Sequence, residues 1–338
     1  MDKNKVKSKK TKLIITIAAA LVLVIGAAVV CPYFFTTNDQ PQTVYVYPNV
    51  SDSQNADSLK VQLDAAFADR LISLSKLRKL RPGAYTVEAD ASVYSTWRKM
   101  AAGEQTPVKL RLNNMRTIDD FVTKASSQLA LNADEMRSAI DKTIAEGDFT
   151  EQTIPAMILP DTYEVYWTTS ADNLLAKLRK NYDSFWDADR KAKADKIGLT
   201  PVETSTLASI VEEETAYAPE KGTVARLYLN RLKQGMKLQS DPTVKFAVGD
   251  RTLRRILHKH LVTESPYNTY IVYGLPPGPI RMPSKATIDA VLNAPENDYI
   301  FMCAKEDFSG SHNFTAGYAE HMQNARRYQA ALDARNIK

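Results

Sequence analysis

The sequence is poor in the residues from which disulfide frameworks, metal centres and phosphate loops are built. Its only two cysteines, Cys31 and Cys303, lie in an apolar segment and in a strand-like run, so no disulfide framework is implied. Four histidines include the pair His258-x-His260 in a basic stretch, which is typical of a surface, and no spacing of histidines, cysteines and carboxylates matches a metal site. There is also no glycine-rich phosphate loop. The sequence therefore implies no metal and no other cofactor.

Excess positive charge is absent from most of the chain as well. The formal charge is +5, but the first twelve residues contain six lysines and one aspartate. Removing these from the 44 basic and 39 acidic residues leaves 38 of each. Because no basic face is implied for the remainder, binding of nucleic acid is not predicted.

A long apolar segment follows the lysines. Residues 13–35 are apolar except for Thr16, Gly26 and the Cys31-Pro32 pair, which predicts a break. About 20 such residues span the hydrocarbon core of a bilayer. The lysines predict that residues 1–12 are a cytoplasmic tail and that residues 36–338 lie outside. We interpret 13–35 as a single transmembrane helix in the cytoplasmic membrane, and a cleaved signal peptide is the alternative.

The pattern after this segment predicts an α+β protein with two parts. The first part, residues 36–115, has strands predicted at 43–47, 84–87 and 107–112 and helices at 58–68 and 92–102. This small module resembles the LysM fold, which binds polymers of N-acetylglucosamine. A pure scaffold would show the same pattern, so both interpretations stay open.

The second part, residues 116–338, is predicted to be a mixed α+β domain that carries the chemistry. A loop-rich region follows Gly235, where the preceding helix ends. The predicted helices are 118–131, 133–145, 171–192, one after Pro201, one opened by Pro219 and 316–335, and short strands are predicted at 270–273 and 299–303.

The stretch from Leu207 to Thr215 contains the candidate catalytic group. On a helix, Leu207, Ile210, Val211 and Glu214 fall within an arc of about 100°, so Glu214 shares a face with three apolar residues. A carboxyl group on a buried face is costly unless it has a partner or keeps its proton. Glu212 and Glu213 point elsewhere and are predicted to be solvated. Glu214 is therefore predicted to be a catalytic acid.

Several later segments combine tyrosine, asparagine, glutamine and threonine in irregular structure. These side chains suit sugars, whose apolar faces stack on aromatic rings and whose hydroxyls need both donors and acceptors. Each segment alone is also a good turn former. His312 is interpreted as structural, with contact to substrate as the alternative. The candidate substrate-binding residues are Asn230, Gln239, Asp241, Thr243, Tyr267, Asn268 and Tyr270.

The order of these segments resembles the motif series of the YceG-like endolytic murein transglycosylases. The similar segments are Ile210–Ala216 (IVEEETA), 229–232 (LNRL), 235–243 (GMKLQSDPT), 267–270 (YNTY) and 274–280 (GLPPGPI). The resemblance implies cleavage of peptidoglycan glycan strands between N-acetylmuramic acid and N-acetylglucosamine, leaving a 1,6-anhydro end. It also implies that the catalytic acid is Glu214, and it leads us to expect cell-wall synthases as partners.

A single acid is enough for that reaction. Glycosidases use two carboxyl groups, but in a transglycosylase the C6 hydroxyl of the sugar itself attacks the anomeric carbon. Glu214 would protonate the glycosidic oxygen and then accept the hydroxyl proton, which requires a raised pKa. Two alternatives stay open: a hydrolase that uses Glu214 with Asp241, and a membrane-anchored glycan-binding scaffold without catalysis.

Overall fold

A computed structural model describes residues 3–250, 252–253 and 255–335 of the chain, without the side chains of residues 3–9. The predicted cytoplasmic tail, residues 1–12, therefore lies largely outside the described side chains. The molecule divides into two compact units. The first contains the chain up to Lys109 together with Glu164–Thr169, and the second contains Leu110–Tyr163 and the chain from Ser170 onward.

The secondary structure of the described residues is mixed, as expected for an α+β protein. The strands are β1 (Gln42–Val46), β2 (Gly83–Val87), β3 (Val108–Leu112), β4 (Asp161–Val165), β5 (Phe301–Ala304) and β6 (His312–Thr315). The helices are α1 (Lys3–Phe35), α2 (Asp52–Gln62), α3 (Ala65–Ser75), α4 (Val93–Ala102), α5 (Ile118–Gln128), α6 (Ala133–Ala145), α7 (Ala171–Phe185), α8 (Ala188–Lys196), α9 (Pro201–Glu214), α10 (Lys221–Lys233), α11 (Asp241–Val248), α12 (His258–Leu261), α13 (Lys285–Leu292) and α14 (Tyr318–Ala334).

The first unit begins with the apolar helix α1 and continues with a strand–helix–helix–strand arrangement. Within the described chain, Lys10–Phe35 is the one helical segment long and apolar enough to cross a membrane, with a mean hydropathy of 3.0. The helix runs through Pro32, where a break is predicted. Proline removes one intrahelical hydrogen bond, which is tolerated so close to the helix end. Strands β1 and β2 pair antiparallel, with Val44 opposite Tyr85, and α2 and α3 pack beside them.

Two predicted helices are each divided in the structure. The helix predicted at 58–68 is interrupted because the Asp64 side chain accepts hydrogen bonds from the backbone N–H groups of Ala66 and Phe67, which starts α3. The helix predicted at 171–192 ends at Phe185, because Asp187 caps a new helix in the same way.

The region predicted as loop-rich also contains helices. Asp241-Pro242-Thr243 begins α11, since proline is favoured in the first turn of a helix, and α13 follows later. The strand predicted at 270–273 is instead a set of turns, in which the backbone N–H groups of Ile271 and Val272 both donate to the carbonyl oxygen of Asn268.

Helix α9 lies at the centre of the second unit, where it packs against α10, α11 and α13. Pro201 is its first residue, where the sequence predicts the start of a helix, and Thr200 and Glu203 form a capping box at this N-terminus. Every residue from Thr204 to Val211 is buried, so the helix is covered on all sides until its last turn. Glu214 is the last residue of this helix.

Candidate active site

The carboxyl group of Glu214 accepts two hydrogen bonds from hydroxyl groups. Tyr228 on α10 donates to Oε1 at 2.6 Å, and Ser240 donates to the same oxygen at 2.5 Å. Within the described part of the chain, Oε2 has no hydrogen-bond partner, and no Lys, Arg or His forms an ion pair with Glu214. One carboxyl oxygen is thus held in place by two hydroxyl groups, while the other has no partner among the described residues.

Ser240 directs its hydroxyl to Glu214 instead of to the helix that it precedes. It occupies the N-cap position of α11, yet its side chain caps no backbone N–H group. Loss of such a cap typically costs about 0.5–2 kcal/mol. The preceding residue, Gln239, has a left-handed backbone with φ of 54°, which is uncommon for a residue with a side chain. The orientation of the Ser240 hydroxyl towards Glu214 is therefore accompanied by two locally destabilising features, an uncapped helix and a left-handed residue.

Burial is the main influence on the acidity of Glu214. It raises the pKa of the carboxyl group above its ordinary value, and the charge of Asp241 raises it further. The hydrogen bonds from Ser240 and Tyr228 act in the opposite direction but do not cancel the effect of burial. Burial and the charge of Glu214 also raise the pKa of Tyr228 well above its ordinary value, so its phenol remains a donor.

The two neighbouring glutamates are not solvated, which corrects the sequence-based prediction. Glu213 lies between two guanidinium groups, with Arg116 and Arg281 each 2.6 Å from one of its oxygens. Glu212 accepts hydrogen bonds from the backbone N–H and the hydroxyl of Ser284. Both side chains are only 15 % exposed. The prediction assumed that one face of α9 meets water, whereas the helix has neighbours on every side.

The environment of Glu212 lowers the pKa of its carboxyl group, in contrast to that of Glu214. Burial alone would raise the pKa of Glu212, but the hydrogen bonds from Ser284 and Thr287 and the charge of Lys221 outweigh it, so the pKa is lowered. Glu212 is therefore a carboxylate with dedicated partners.

Arg231 of the LNRL segment organises the loop that carries Gln239 and Ser240. Its guanidinium donates to the carbonyl oxygen of Leu238 at 2.9 Å and to that of Ile300 at 2.7 Å. It also donates to Oε1 of Gln239 at 3.3 Å. This arginine is 8 % exposed, and its hydrogen bond to Leu238 is buried.

Three of the predicted substrate-binding residues have side chains at the surface of this region. Asp241 is exposed, and its Oδ1 accepts a hydrogen bond of 2.6 Å from the hydroxyl of Tyr270. Gln239 is exposed one residue before Ser240. Gln239, Asp241 and Tyr270 therefore lie close to Ser240, whose hydroxyl contacts Glu214.

Tyr267 lies in a different cavity of the same unit. Its ring packs against that of Phe246, with ring centroids 4.7 Å apart. The two rings, together with Ile118 and Pro279, line a cavity of about 530 Å³. Charged residues, among them Arg137 and Glu151, also line this cavity. Aromatic rings beside polar groups suit sugars, whose apolar faces stack on the rings.

The remaining three predicted residues use their polar groups inside the protein. Asn230 donates from Nδ2 to the backbone oxygens of Asn297 and Tyr299. Thr243 and Asn268 are fully buried. The hydroxyl of Thr243 donates to the carbonyl oxygen of Ser240, and Asn268 bridges the turns around it.

His312 belongs to a network on the far side of Thr215. Its Nδ1 lies 2.7 Å from Oε1 of Glu220, a residue that is 7 % exposed. The same oxygen accepts a hydrogen bond of 2.6 Å from the hydroxyl of Thr215, the residue after Glu214. These hydrogen bonds through Glu220 hold the residue that follows α9. Among the described residues, no group of three histidine, cysteine or acidic side chains could hold a metal ion.

The proline- and glycine-rich segment 274–280 docks against α9. The backbone N–H of Ile280 donates to the hydroxyl of Ser209 at 3.0 Å. A Cβ atom at Gly278 would lie 1.9 Å from the carbonyl oxygen of Gln152, so glycine is required by this close approach.

Sequence reasoning missed Tyr228 and the role of Ser240. Ser240 lies within the segment 235–243 that resembles the family motif. It is 26 residues after Glu214 in the sequence, so the contact between them could not be predicted locally. Tyr228 occupies the buried face of α10 with Val224 and Leu227. The hydroxyl of a tyrosine at a core position usually has a hydrogen-bond partner. This rule could have indicated that Tyr228 contacts a buried polar group.

Comparisons with known proteins identify relatives of this chain. The model of the YceG-like family matches residues 46–327. The endolytic murein transglycosylase of Bacillus subtilis (strain 168) is 34% identical over 160 residues, which are 47% of this chain and 43% of that protein. The enzyme of the same description from Streptococcus pneumoniae D39 is 30% identical over 155 residues, or 44% and 27% of the two chains. The match therefore spans less than half the length of either relative.

A solved structure shares the fold. The crystal structure of a YceG-like protein from Listeria monocytogenes superposes with a TM-score of 0.58 and covers 84% of this chain and 98% of its own. The two sequences are 24% identical, so this likeness concerns the fold alone.

Proposed function

Because the chain belongs to the YceG-like family, we propose that it is an endolytic peptidoglycan lytic transglycosylase, a lyase. The substrate is the glycan strand, cleaved between N-acetylmuramic acid and N-acetylglucosamine with formation of a 1,6-anhydro end. Glu214 acts as the single general acid and base. The observation that carries the proposal is the environment of Glu214, which has a raised pKa, two hydroxyl donors on Oε1 and a free Oε2.

The reaction needs one group that first gives and then takes a proton. Protonated Glu214 donates its proton from Oε2 to the glycosidic oxygen, and the bond from that oxygen to the anomeric carbon breaks. The C6 hydroxyl of the muramic sugar attacks the anomeric carbon, and its proton passes to the Glu214 carboxylate. The carboxyl group ends in its starting state, and no water is consumed.

The two hydroxyl donors support the middle of this cycle. While Glu214 is a carboxylate, the hydrogen bonds from Tyr228 and Ser240 stabilise its negative charge, and they hold the group in one orientation throughout. Burial keeps the proton in place before the reaction. A carboxyl group with this balance is suited to proton transfer in both directions.

We divide the predicted substrate-binding residues into three groups. Gln239, Asp241 and Tyr270, beside Ser240, are proposed to contact the sugars at the scissile bond, and Tyr267 with Phe246 is proposed to stack on a sugar farther along the strand. Asn230, Thr243 and Asn268 are proposed to hold the loops from beneath, since their polar side-chain groups have partners within the protein.

A hydrolase is the second candidate, and one observation favours it. The charge of Asp241 contributes to the raised pKa of Glu214, so the two carboxyl groups interact. A retaining or inverting hydrolase would use such a pair. It would produce a reducing end where the transglycosylase produces an anhydro end.

We further propose that α1 anchors the protein in the cytoplasmic membrane. The lysines before the apolar run favour a cytoplasmic N-terminus and an external catalytic unit, with a cleaved signal peptide as the alternative. The β1–α2–α3–β2 order of the first unit, with its antiparallel strand pair, supports the LysM-like proposal. Nascent glycan near the membrane would then be the substrate, close to cell-wall synthases.

Mass spectrometry of muropeptides released by the full chain in detergent tests the function. Anhydro ends released by the wild-type chain and missing with the Glu214→Gln chain are expected. Reducing ends would establish the hydrolase instead. If no strand is cut but Glu214→Gln and wild type bind strands equally, the protein is a glycan-binding scaffold.

A further inference from the structure

A charged cavity lies on the Glu213 side of the catalytic helix. Its volume is about 570 Å³, and its charged lining consists of Arg116, Lys124, Lys245, Arg281, Asp120 and Glu213. We refer to the cavity lined by these six residues as the cationic cavity. Four of its charged side chains are positive and two are negative, so the lining has an excess of positive charge.

The two carboxylates of the cavity are already committed. Glu213 is held by Arg116 and Arg281. Asp120 accepts from the backbone N–H of Arg116 and of Thr117 at the start of α5. The negative charges of the cavity thus have strong partners of their own.

The lysines, in contrast, are not neutralised. Lys124 donates to the neutral amide oxygen of Asn113 at 2.9 Å. Lys245 forms no ion pair with any described residue, and the buried Nε of Arg281 has no acceptor among them. The cavity therefore presents ammonium groups that lack an anionic partner, which is the arrangement expected of a site for an anion.

The cavity and the candidate active site are built from the same elements. Glu213 and Glu214 are consecutive, so their Cα atoms are about 3.8 Å apart. Lys245 lies on α11, the helix that Ser240 precedes. A ligand bound at Glu214 would therefore lie beside the two helices, α9 and α11, that contribute Glu213 and Lys245 to the cavity.

The chemistry of the proposed substrate supplies a matching anion. The sugar backbone of a peptidoglycan strand is uncharged, whereas each muramic sugar carries a peptide with free carboxylate groups. We propose that the cationic cavity binds a carboxylate of this peptide, with Lys245 as its main contact. The inference rests on the proposed function and extends it: the enzyme distinguishes strands by the charge of their peptides.

The test compares two substrates that differ only in charge. One is a preparation of glycan strands with intact acidic peptides, and the other is the same preparation with the peptide carboxylates converted to amides. For the wild-type full chain, kcat/KM on the acidic strands should exceed that on the amidated strands by about three- to tenfold. The difference should lie in KM and should shrink as salt is added.

Variants connect this preference with the cavity. Lys245→Gln should bring the ratio of the two kcat/KM values close to one, since glutamine has a similar helix propensity and a polar side chain but lacks the charge. Lys180→Gln, a matched change at an exposed lysine of α7, should leave the ratio as in wild type. A wild-type ratio near one would overturn the proposal, and so would an unchanged ratio in Lys245→Gln.

A binding measurement separates this inference from the proposed function. The Glu214→Gln chain is incubated with either strand preparation, and bound protein is measured by cosedimentation. Tighter binding to acidic strands, lost in Glu214→Gln/Lys245→Gln, supports the cavity even if no strand is ever cut. Equal binding to both preparations overturns it even if the wild type cuts strands as proposed.

Discussion

Glu214 and Glu213 are adjacent in the chain, yet the two sides of the α9 terminus treat a carboxyl group in opposite ways. On one side, the guanidinium groups of Arg116 and Arg281 each lie 2.6 Å from an oxygen of Glu213. On the other side, Tyr228 and Ser240 offer hydroxyl groups to Glu214 and no cation is paired with it in the described structure. Both environments limit access of water. They differ in the charge of the partners.

This difference indicates what makes a buried glutamate an acid. Burial acts against the charged form of a carboxyl group, and a positive partner can restore that form. Hydroxyl partners restore it only in part, so Glu214 keeps a raised pKa. In the proposed function, this separation of cations from hydroxyls around one helix turn gives Glu213 a structural role and Glu214 a catalytic one.

The largest expected effect tests this assignment directly. Glu214→Gln should lower kcat for release of anhydro muropeptides by at least about 10³-fold, because glutamine can accept both hydroxyl hydrogen bonds but cannot donate and recover a proton. Glu213→Gln should cost less than about tenfold. Equal losses in the two variants would contradict the division of roles.

The stability of the same variant provides its control. Since the pKa of Glu214 is raised above 4.5 in the folded protein, its ionisation lowers stability as the pH rises through the folded-state pKa. Glu214→Gln removes this effect and should melt about 2–4 °C above wild type at neutral pH. Near pH 4 the two chains should melt alike. Loss of activity with a lowered Tm would instead indicate misfolding.

The next prediction concerns the arginine partners of Glu213. Arg281→Gln leaves Glu213 with one of its two guanidinium partners and should lower the free energy of unfolding by about 1–3 kcal/mol. Urea unfolding measures it. The loss should be smaller when Glu213→Gln is already present, since the carboxylate that needs the arginine is then gone. An unchanged loss in that background would mean that the ion pair does not stabilise the fold.

A smaller effect alters the hydroxyl side. Tyr228→Phe removes a donor that favours the carboxylate, so the pKa of Glu214 should rise further and the basic limb of kcat/KM should move to higher pH. The rate should fall by about tenfold, corresponding to one hydrogen bond. Tyr328→Phe on α14 is the control. A shift of the limb to lower pH would show that Tyr228 does not donate to Glu214.

The smallest effect concerns Asp241. Its charge raises the pKa of Glu214, so Asp241→Asn should move the basic limb to slightly lower pH and reduce the rate by less than about tenfold. If Asp241 is instead the second carboxylate of a hydrolase, the loss should match that of Glu214→Gln. The pH profile and the size of the loss together decide between these mechanisms.

The sequence predicts elements well where one local rule decides. Thr200, Pro201 and Glu203 fix the start of α9, and the apolar positions Leu207 and Val211 are fully buried. It fails where two local rules compete. Asp64 and Asp187 divide helices that periodicity alone joins, and Pro242 starts a helix where a turn is predicted.

The candidate site is only partly predictable from sequence for a different reason. Helix phase places Glu214 on a face with apolar residues, but it also assumes a solvent face, and that assumption misplaces Glu212 and Glu213. The partners Tyr228 and Ser240 follow Glu214 by 14 and 26 positions. Only the packing of α10 and α11 on α9 brings them together, and no local pattern encodes that packing.

The position of Glu214 as the last residue of α9 has one more consequence. The peptide dipoles of a helix add up to about half a negative elementary charge at its carboxyl end. An anion is disfavoured there, so the fourteen residues of α9 also help to hold the proton on the group that they position. A variant that unfolds the last turn of α9 should therefore lower the pKa of Glu214, even if the substituted residue does not contact the Glu214 side chain.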